Sequence, residues 1–289
     1  MPLRALPRLA LLILPVAFVL VFVIGPLAIT VAVSFWQRVG FTVEPALTPV
    51  NYLDFFEGVR IIVLERSLVV APVATAIGLV IAYPIAYFLA FRASRHVVRV
   101  ILLLITIPFL VNYVIRNFAW SYLLGRNGPI NDSIIGLGLS DGPIDWLLFS
   151  DFSVYVGLVA AYMPFMVFPL WLSLAGIDRR QIEASWMLGA NPFLTFLRVT
   201  LPLSLPGLFA AAIFGFVGVF GESAVSLILG GAGYELMGNT ISSAMEVLHY
   251  PLAAAMSSVV VAVMTALLVA WYLGFDVRSF LGKILIRGG

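Results

Sequence analysis

The sequence predicts an all-α integral membrane protein with six transmembrane helices. Three observations carry that prediction. Over 289 residues, 62% of side chains are hydrophobic and only 10% are charged, against roughly 45–50% apolar and about 25% charged in soluble domains. A mean hydropathy of +1.11 leaves too little polar surface to cover a water-exposed globule of this size. The apolar residues also fall into runs that reach the ~20 residues a helix needs to cross the hydrocarbon core. The same numbers exclude disorder, whose signature is low hydrophobicity and high charge. With no cysteine, disulfide scaffolds, thiolate metal sites and cysteine nucleophiles are excluded together. Two histidines, His96 and His249, leave little for a metal site or a proton relay.

Four runs contain no charged side chain and are long enough alone: residues 9–37, 67–91, 152–177 and 247–275. Two more have one interruption each, residues 100–125 with Arg116 and residues 207–230 with Glu222. Arg4 and Arg8 resemble the basic start of a signal peptide, but the apolar stretch after them far exceeds the roughly 7–15 residues of such a core. The first run is therefore expected to stay as a helix, and the whole chain, 1–289, to form a single transmembrane domain.

Six crossings put both ends on one side. That side collects Arg4, Arg8, Arg92, Arg95, Arg99, Arg179, Arg180, Arg198, Arg278, Lys283 and Arg287, eleven of the sixteen basic residues. Basic residues stay cytoplasmic, so both termini are expected inside. Counting the acids, the inner side carries about +8 and the outer about −5, and Glu222 completes the formal +2. The outer segments 38–66 and 126–151 are long enough for short structured elements, with turn signals at Asn127-Gly128-Pro129 and Asp141-Gly142-Pro143. The inner connection from Arg92 to Arg99 is short.

The inner connection 178–206 has a pattern of its own. Asp178 is placed to cap a helix starting at Arg179, whose Ile182, Trp186 and Ala190 lie four apart on one face. Gly189 interrupts that helix or lets another surface approach closely. Asn191-Pro192 makes a new start, Phe193, Phe196 and Leu197 form a second apolar stripe, and Pro202 and Pro206 are expected to break the chain before the fifth membrane helix. Two short amphipathic helices on the cytoplasmic face thus need a partner surface. A helix lying on lipid would also account for the stripe, though it would prefer a more basic polar face.

The segment reads Glu183-Ala184-Ser185, three residues, Gly189, nine residues, Val199-x-Leu201-Pro202. It closely resembles the signature of ABC-importer permeases, E-A-A, three residues, G, nine residues, I-x-L-P. The departures are Ser185 and Val199. Further stretches are similar to the spermidine/putrescine-type permeases: Ile107-Pro108-Phe109, Arg116-Asn117-Phe118-Ala119-Trp120, Leu124-Gly125-Arg126-Asn127-Gly128, Gly221-Glu222, Leu229-Gly230-Gly231 and Met237-Gly238-Asn239. The resemblance implies a type I ABC-importer permease fold in a bacterial inner membrane. It implies that Glu183, Ala184, Ser185, Gly189, Leu201 and Pro202 belong to a coupling loop gripped by an ATPase. It also implies the partners: a second, homologous permease chain forming a heterodimer, two cytoplasmic ATPase subunits and an extracytoplasmic solute-binding protein. A polyamine is the implied solute, although relatives import other small solutes. No nucleic-acid partner is expected.

The chain cannot supply its own energy from nucleotide. A P-loop needs G-x-x-x-x-G-K-[ST], and around the single lysine, Lys283, position 277 is Val and position 284 is Ile. No cofactor is expected on this chain; ATP and Mg²⁺ belong to the ATPase partner, and no metal site is expected here.

A carboxylate in hydrocarbon costs roughly 2.5–3.5 kcal/mol on insertion scales, so Glu222 faces protein, a watery path, or is protonated. Two readings stay open: Glu222 lines the translocation path and attracts a cation, or it is a structural partner, for instance of Arg116. Arg116 lies near the outer end of its helix, where it can snorkel or pair. Trp120, Tyr113, Tyr162 and Trp171 offer faces for cation–π contact with an amine, or serve as interface anchors. The candidate path is therefore Glu222, Trp120, Tyr162 and Arg116. A self-contained secondary transporter would need coupling carboxylates on several helices or inverted repeats. An intramembrane enzyme would need a Ser/His or Asp/Asp pair. Neither pattern is present in the spans.

Overall fold

The computed structural model describes residues 8–274 and is mostly helical. Among the described residues, five helices are long and apolar enough to cross a membrane, and a bent helix pair makes a sixth if taken as one span. Arg4, Asp276, Arg278, Lys283, Arg287 and the expected end of the last span at Phe275 lie outside the described residues. The chain divides into two compact units, residues 1–62 with 240–289, and residues 63–239.

In the first unit, α1 (Arg8–Val19) and α2 (Gly25–Ser34) are joined by a π-helical turn, Leu20–Ile24. Pro26 has no N–H and its ring crowds the preceding turn, and there the Gly25 N–H reaches back to the Leu20 carbonyl. A β-hairpin follows, β1 (Gln37–Val39) antiparallel to β2 (Thr42–Glu44), turned by Gly40 at φ +64. Helix α3 (Val50–Phe56) supplies the buried Asn51, whose amide donates to the Ser34 and Trp36 carbonyls at 2.8 and 2.7 Å. Ser34 is the last residue of α2 and Trp36 lies just past it, where carbonyls lack a helical partner. Helix α14 (Tyr250–Gly274) packs against α2 and α3. At its start His249 Nδ1 accepts the Leu252 N–H at 3.3 Å, which requires a neutral ring. Burial favours the same form and lowers the pKa of His249.

The second unit holds the elements that follow between residues 63 and 239. Helix α4 (Val59–Phe91) carries Pro72 and Pro84 without breaking, as spans do when neighbours satisfy the freed backbone groups. It starts earlier than the expected residue 67. Ser94 caps α5 (Arg95–Leu110).

The third apolar run is not the single helix 100–125 that composition suggests. It breaks at Val111-Asn112, and α6 (Tyr113–Leu124) leaves at 92° to α5. The cause is local. Pro108 sits in the last turn of α5, and the Asn112 side chain accepts the Val114 N–H at 2.9 Å, starting a new helix. Helix α7 (Pro129–Gly136) and a short 3₁₀ turn at Asp145–Leu147 structure the next segment. Buried Asn131 holds them to each other, accepting the Ile144 N–H at 2.7 Å and donating to the Gly125 carbonyl at 3.0 Å.

Helix α8 (Asp151–Ala175) begins with a Ser150/Ser153 capping box. Helix α9 (Arg179–Met187) is capped by Asp178, as expected. The expected break at Pro202 and Pro206 does not occur. Helix α10 (Pro192–Thr195), a π turn (Phe196–Thr200) and α11 (Leu201–Phe220) form one rod from Pro192 to Phe220. Pro192 stands at its N-terminus, where a missing N–H costs nothing, and the π turn before Leu201 takes up the clash from Pro202. The fifth helix also ends at Phe220 rather than residue 230. Gly221 caps it, and α12 (Ala224–Leu229) and α13 (Met237–Glu246) follow.

The core of this unit is where α4, α8 and α11 meet, around Ala82, Ala86, Leu89, Met166, Val167, Leu170, Leu174 and Ala211. Small residues let the backbones approach, the way helices associate in lipid. A Cβ on Gly78 would lie 2.8 Å from the Met166 sulfur, and one on Gly215 would collide with the same side chain.

Candidate translocation and coupling sites

Glu222 is buried (7% exposed) in the break between α11 and α12. Its location there follows from sequence. Gly221 ends one helix, and the side chain of the next residue folds back to begin the other. Its Oε1 accepts the N–H groups of Ser223, Ala224 and Val225 at 3.1, 2.9 and 3.3 Å. Its Oε2 accepts the Tyr162 hydroxyl at 2.5 Å. A carboxylate removed from water is tolerable only with such donors, and charge-assisted bonds are about twice as strong as neutral ones.

Tyr162 is aimed by packing. A Cβ on Gly218 would collide with its ring, so glycine at that position leaves the ring its room against α11, and its hydroxyl reaches Glu222. On the other side Gly238 lies against the Glu222 carbonyl, where any Cβ would collide. The loop leading into α13, which carries Gly238, is itself held. Asn239 Oδ1 accepts the Leu236 N–H at 2.6 Å, and the Met237 N–H donates to Ser67 Oγ at 2.9 Å. Farther along that loop, the Tyr234 hydroxyl donates to Asp151 at 2.7 Å while the Arg66 guanidinium lies 5.0 Å over its ring. Burial, then the Asp151 bond, pushes the Tyr234 pKa up.

Glu222 and Tyr162 line a cavity of ≈ 400 Å³ together with Tyr113, Arg116, Phe165 and Ser223. Three of the four expected path residues, Glu222, Tyr162 and Arg116, thus meet at one cavity. Trp120 stands one turn beyond Arg116 on α6 and does not line it. Trp171 packs against the core instead. Arg116 also donates toward the Pro108 carbonyl at 3.4 Å, across the break between α5 and α6. Phe165 and Gly218 were not singled out by sequence reasoning, whereas Gly238 stands in the Met237-Gly238-Asn239 stretch. The only sequence signal for these two is spacing, Phe165 three residues after Tyr162 and Gly218 four before Glu222. Among the described residues, no group of three or more His, Asp or Glu side chains could hold a metal ion.

The connection between α8 and the rod forms an elbow. Gly189 adopts φ +81, a left-handed conformation that ends α9, and a Cβ there would meet nothing within 4 Å. Asn191 starts α10 by accepting the Leu194 N–H at 2.8 Å. Glu183 and Ala184 are exposed, as are Trp186 (54%), Met187 (89%), Leu188 (88%) and Phe193 (69%). Ser185 is the exception, buried against Thr195. Leu201 and Pro202 lie inside the rod, half-buried, rather than in a loop. Large apolar side chains are thus exposed on both sides of Gly189.

Residues 74–278 match the family described as the binding-protein-dependent transport system inner membrane component. The spermidine/putrescine transport system permease protein PotB of Haemophilus influenzae is 33% identical over 259 residues, covering 89% of this chain and 90% of that protein. PotB of Escherichia coli strain K12 is likewise 33% identical over 259 residues, covering 89% of this chain and 94% of that protein. The fold resembles the crystal structure of a bacterial ABC transporter involved in the import of the acidic polysaccharide alginate. That likeness has a TM-score of 0.69 at 14% identity, covering 93% of this chain and 96% of the other. The family match spans most of the chain and the identity to both PotB proteins extends over nearly nine-tenths of it. The chain therefore belongs to the binding-protein-dependent transport inner membrane components: it is an ABC-importer permease of the bacterial inner membrane, a transport subunit and not an enzyme.

Proposed function

We propose that this permease carries a polyamine, spermidine or putrescine, through a path that passes Glu222. The observation that carries the proposal is a buried carboxylate at a cavity with aromatic neighbours. Glu222 offers charge, and the faces of Tyr113, Tyr162 and Phe165 offer cation–π contact to an ammonium group. Arg116 on the same cavity offsets the carboxylate, so a cation enters without being trapped, the condition for conduction. The names of the PotB relatives agree with this solute class.

In the same proposal both termini and the α9 elbow face the cytoplasm, and the chain acts as one permease domain. An ATPase subunit, using ATP and Mg²⁺ on its own residues, grips Glu183, Ala184, Gly189 and the apolar surface around them. A second, homologous permease completes a heterodimer with two ATPase subunits, and an extracytoplasmic binding protein delivers the solute. The test is uptake by the complete importer in proteoliposomes with its binding protein. Labelled spermidine or putrescine is expected to accumulate with ATP, and excess unlabelled polyamine to cut the signal at least tenfold. Accumulation of a neutral or anionic solute that polyamine leaves untouched would reject the solute assignment.

A further inference from the structure

We propose that the hydroxyl pair Ser185–Thr195 is the tie that transmits motion from α9 to the rod that ends two residues before Glu222. It rests on the reading that an ATPase grips α9. Ser185 stands where the family signature has a second alanine, and the structure gives that departure a function. Ser185 is the buried residue of α9 and Thr195 the buried residue of α10. Their hydroxyl oxygens are 2.8 Å apart. The Ser185 hydroxyl donates to the Ile182 carbonyl at 2.7 Å. Its single proton is thereby used, so Thr195 is the donor of the pair and Ser185 Oγ the acceptor.

The place of this bond makes it mechanical. The elbow around Gly189 is sterically open, since a Cβ at that position would meet no neighbour within 4 Å. A backbone bond from the Ala190 N–H to the Ser185 carbonyl, 3.1 Å, closes the turn but spans only that turn. The hydroxyl pair reaches across it to the rod. Thr195 is also the last residue before the π turn Phe196–Thr200, which continues without a break into α11. From there the rod continues to Phe220, so its 29 residues span roughly 40 Å at about 1.5 Å each and end beside Glu222. A push on α9 is carried into the rod when the tie holds. When it is cut, the push is absorbed at the elbow.

Ser185 and Thr195 are positioning residues, and their test needs a readout that separates coupling from folding. The complete importer, with binding protein, is reconstituted with Ser185→Ala, Thr195→Val, the double variant and the conservative Thr195→Ser. ATPase co-purification is expected to stay within twofold of the unmodified chain in all four. Solute moved per ATP hydrolysed is expected to fall at least fivefold in each single variant, to fall no further in the double, and to recover in Thr195→Ser. An unchanged ratio in both single variants, or single losses that multiply in the double, would overturn the tie while leaving the docking reading intact. Failure of an ATPase to co-purify with the unmodified chain would overturn the docking reading and the tie with it.

Discussion

Replacing Glu222 by Leu is expected to abolish uptake and to lower the melting temperature of the purified importer, whereas Glu222→Gln should spare folding and still cut polyamine uptake at least tenfold. The difference follows from which bonds survive. Leucine leaves the N–H groups of Ser223, Ala224 and Val225 and the Tyr162 hydroxyl without their acceptor. Each buried group so orphaned costs about 1–3 kcal/mol. Glutamine keeps a carbonyl oxygen for the three amides, and Tyr162 can turn its hydroxyl to accept from the new amide. What glutamine loses is charge, and a tenfold effect corresponds to about 1.4 kcal/mol of lost attraction for the cation. Paired uptake kinetics and thermal melts of the two variants read the distinction. Normal uptake by Glu222→Gln would reduce Glu222 to the helix cap that its geometry already describes.

Gly189→Trp is expected to leave membrane insertion and folding unchanged while reducing ATPase co-purification at least tenfold. Ordinarily a side chain at φ +81 is strained, by roughly 1–2 kcal/mol for a non-glycine residue. Gly189→Asn controls for that strain, because Asn tolerates the left-handed region. Nothing in this chain obstructs a larger group, since a Cβ at Gly189 meets open space. Any loss beyond the Asn variant therefore reports a foreign surface coming close to the elbow. Trp186, Met187, Leu188 and Phe193, all exposed beside it, are the apolar area such a surface would cover. Full ATPase recovery with Gly189→Trp would mean that no partner approaches this point.

The helical membrane architecture was legible from composition because a run of apolar residues has one stable solution in lipid, where every backbone group must find an internal partner. Helix ends were less legible, and for identifiable reasons. Prolines mislead in both directions. Pro108 contributes to a 92° break only because Asn112 is there to cap the next helix, whereas Pro202 and Pro206 sit inside a continuous rod. The signature segment with its capping Asp178 and its left-handed Gly189 is local chemistry, and sequence spacing suffices for it. Glu222 stood out by the cost of its burial, but its partner Tyr162 lies 60 residues away and no pattern joins them. Trp120 illustrates the converse. It belongs to the same motif as Arg116, yet a further turn of α6 carries it past the cavity. Ser185 looked like a mild departure from the signature until Thr195 was found within hydrogen-bond reach.

This permease is expected to move solute only when a separate ATPase drives it. The most direct measurement compares labelled polyamine accumulation in vesicles containing this polypeptide alone with vesicles containing the second permease, the ATPase subunits and the binding protein as well. Accumulation against a gradient is expected only in the complete assembly, only with ATP, and not with a non-hydrolysable analogue. Uphill accumulation by the lone polypeptide, driven by an ion gradient or by nothing added, would contradict the account.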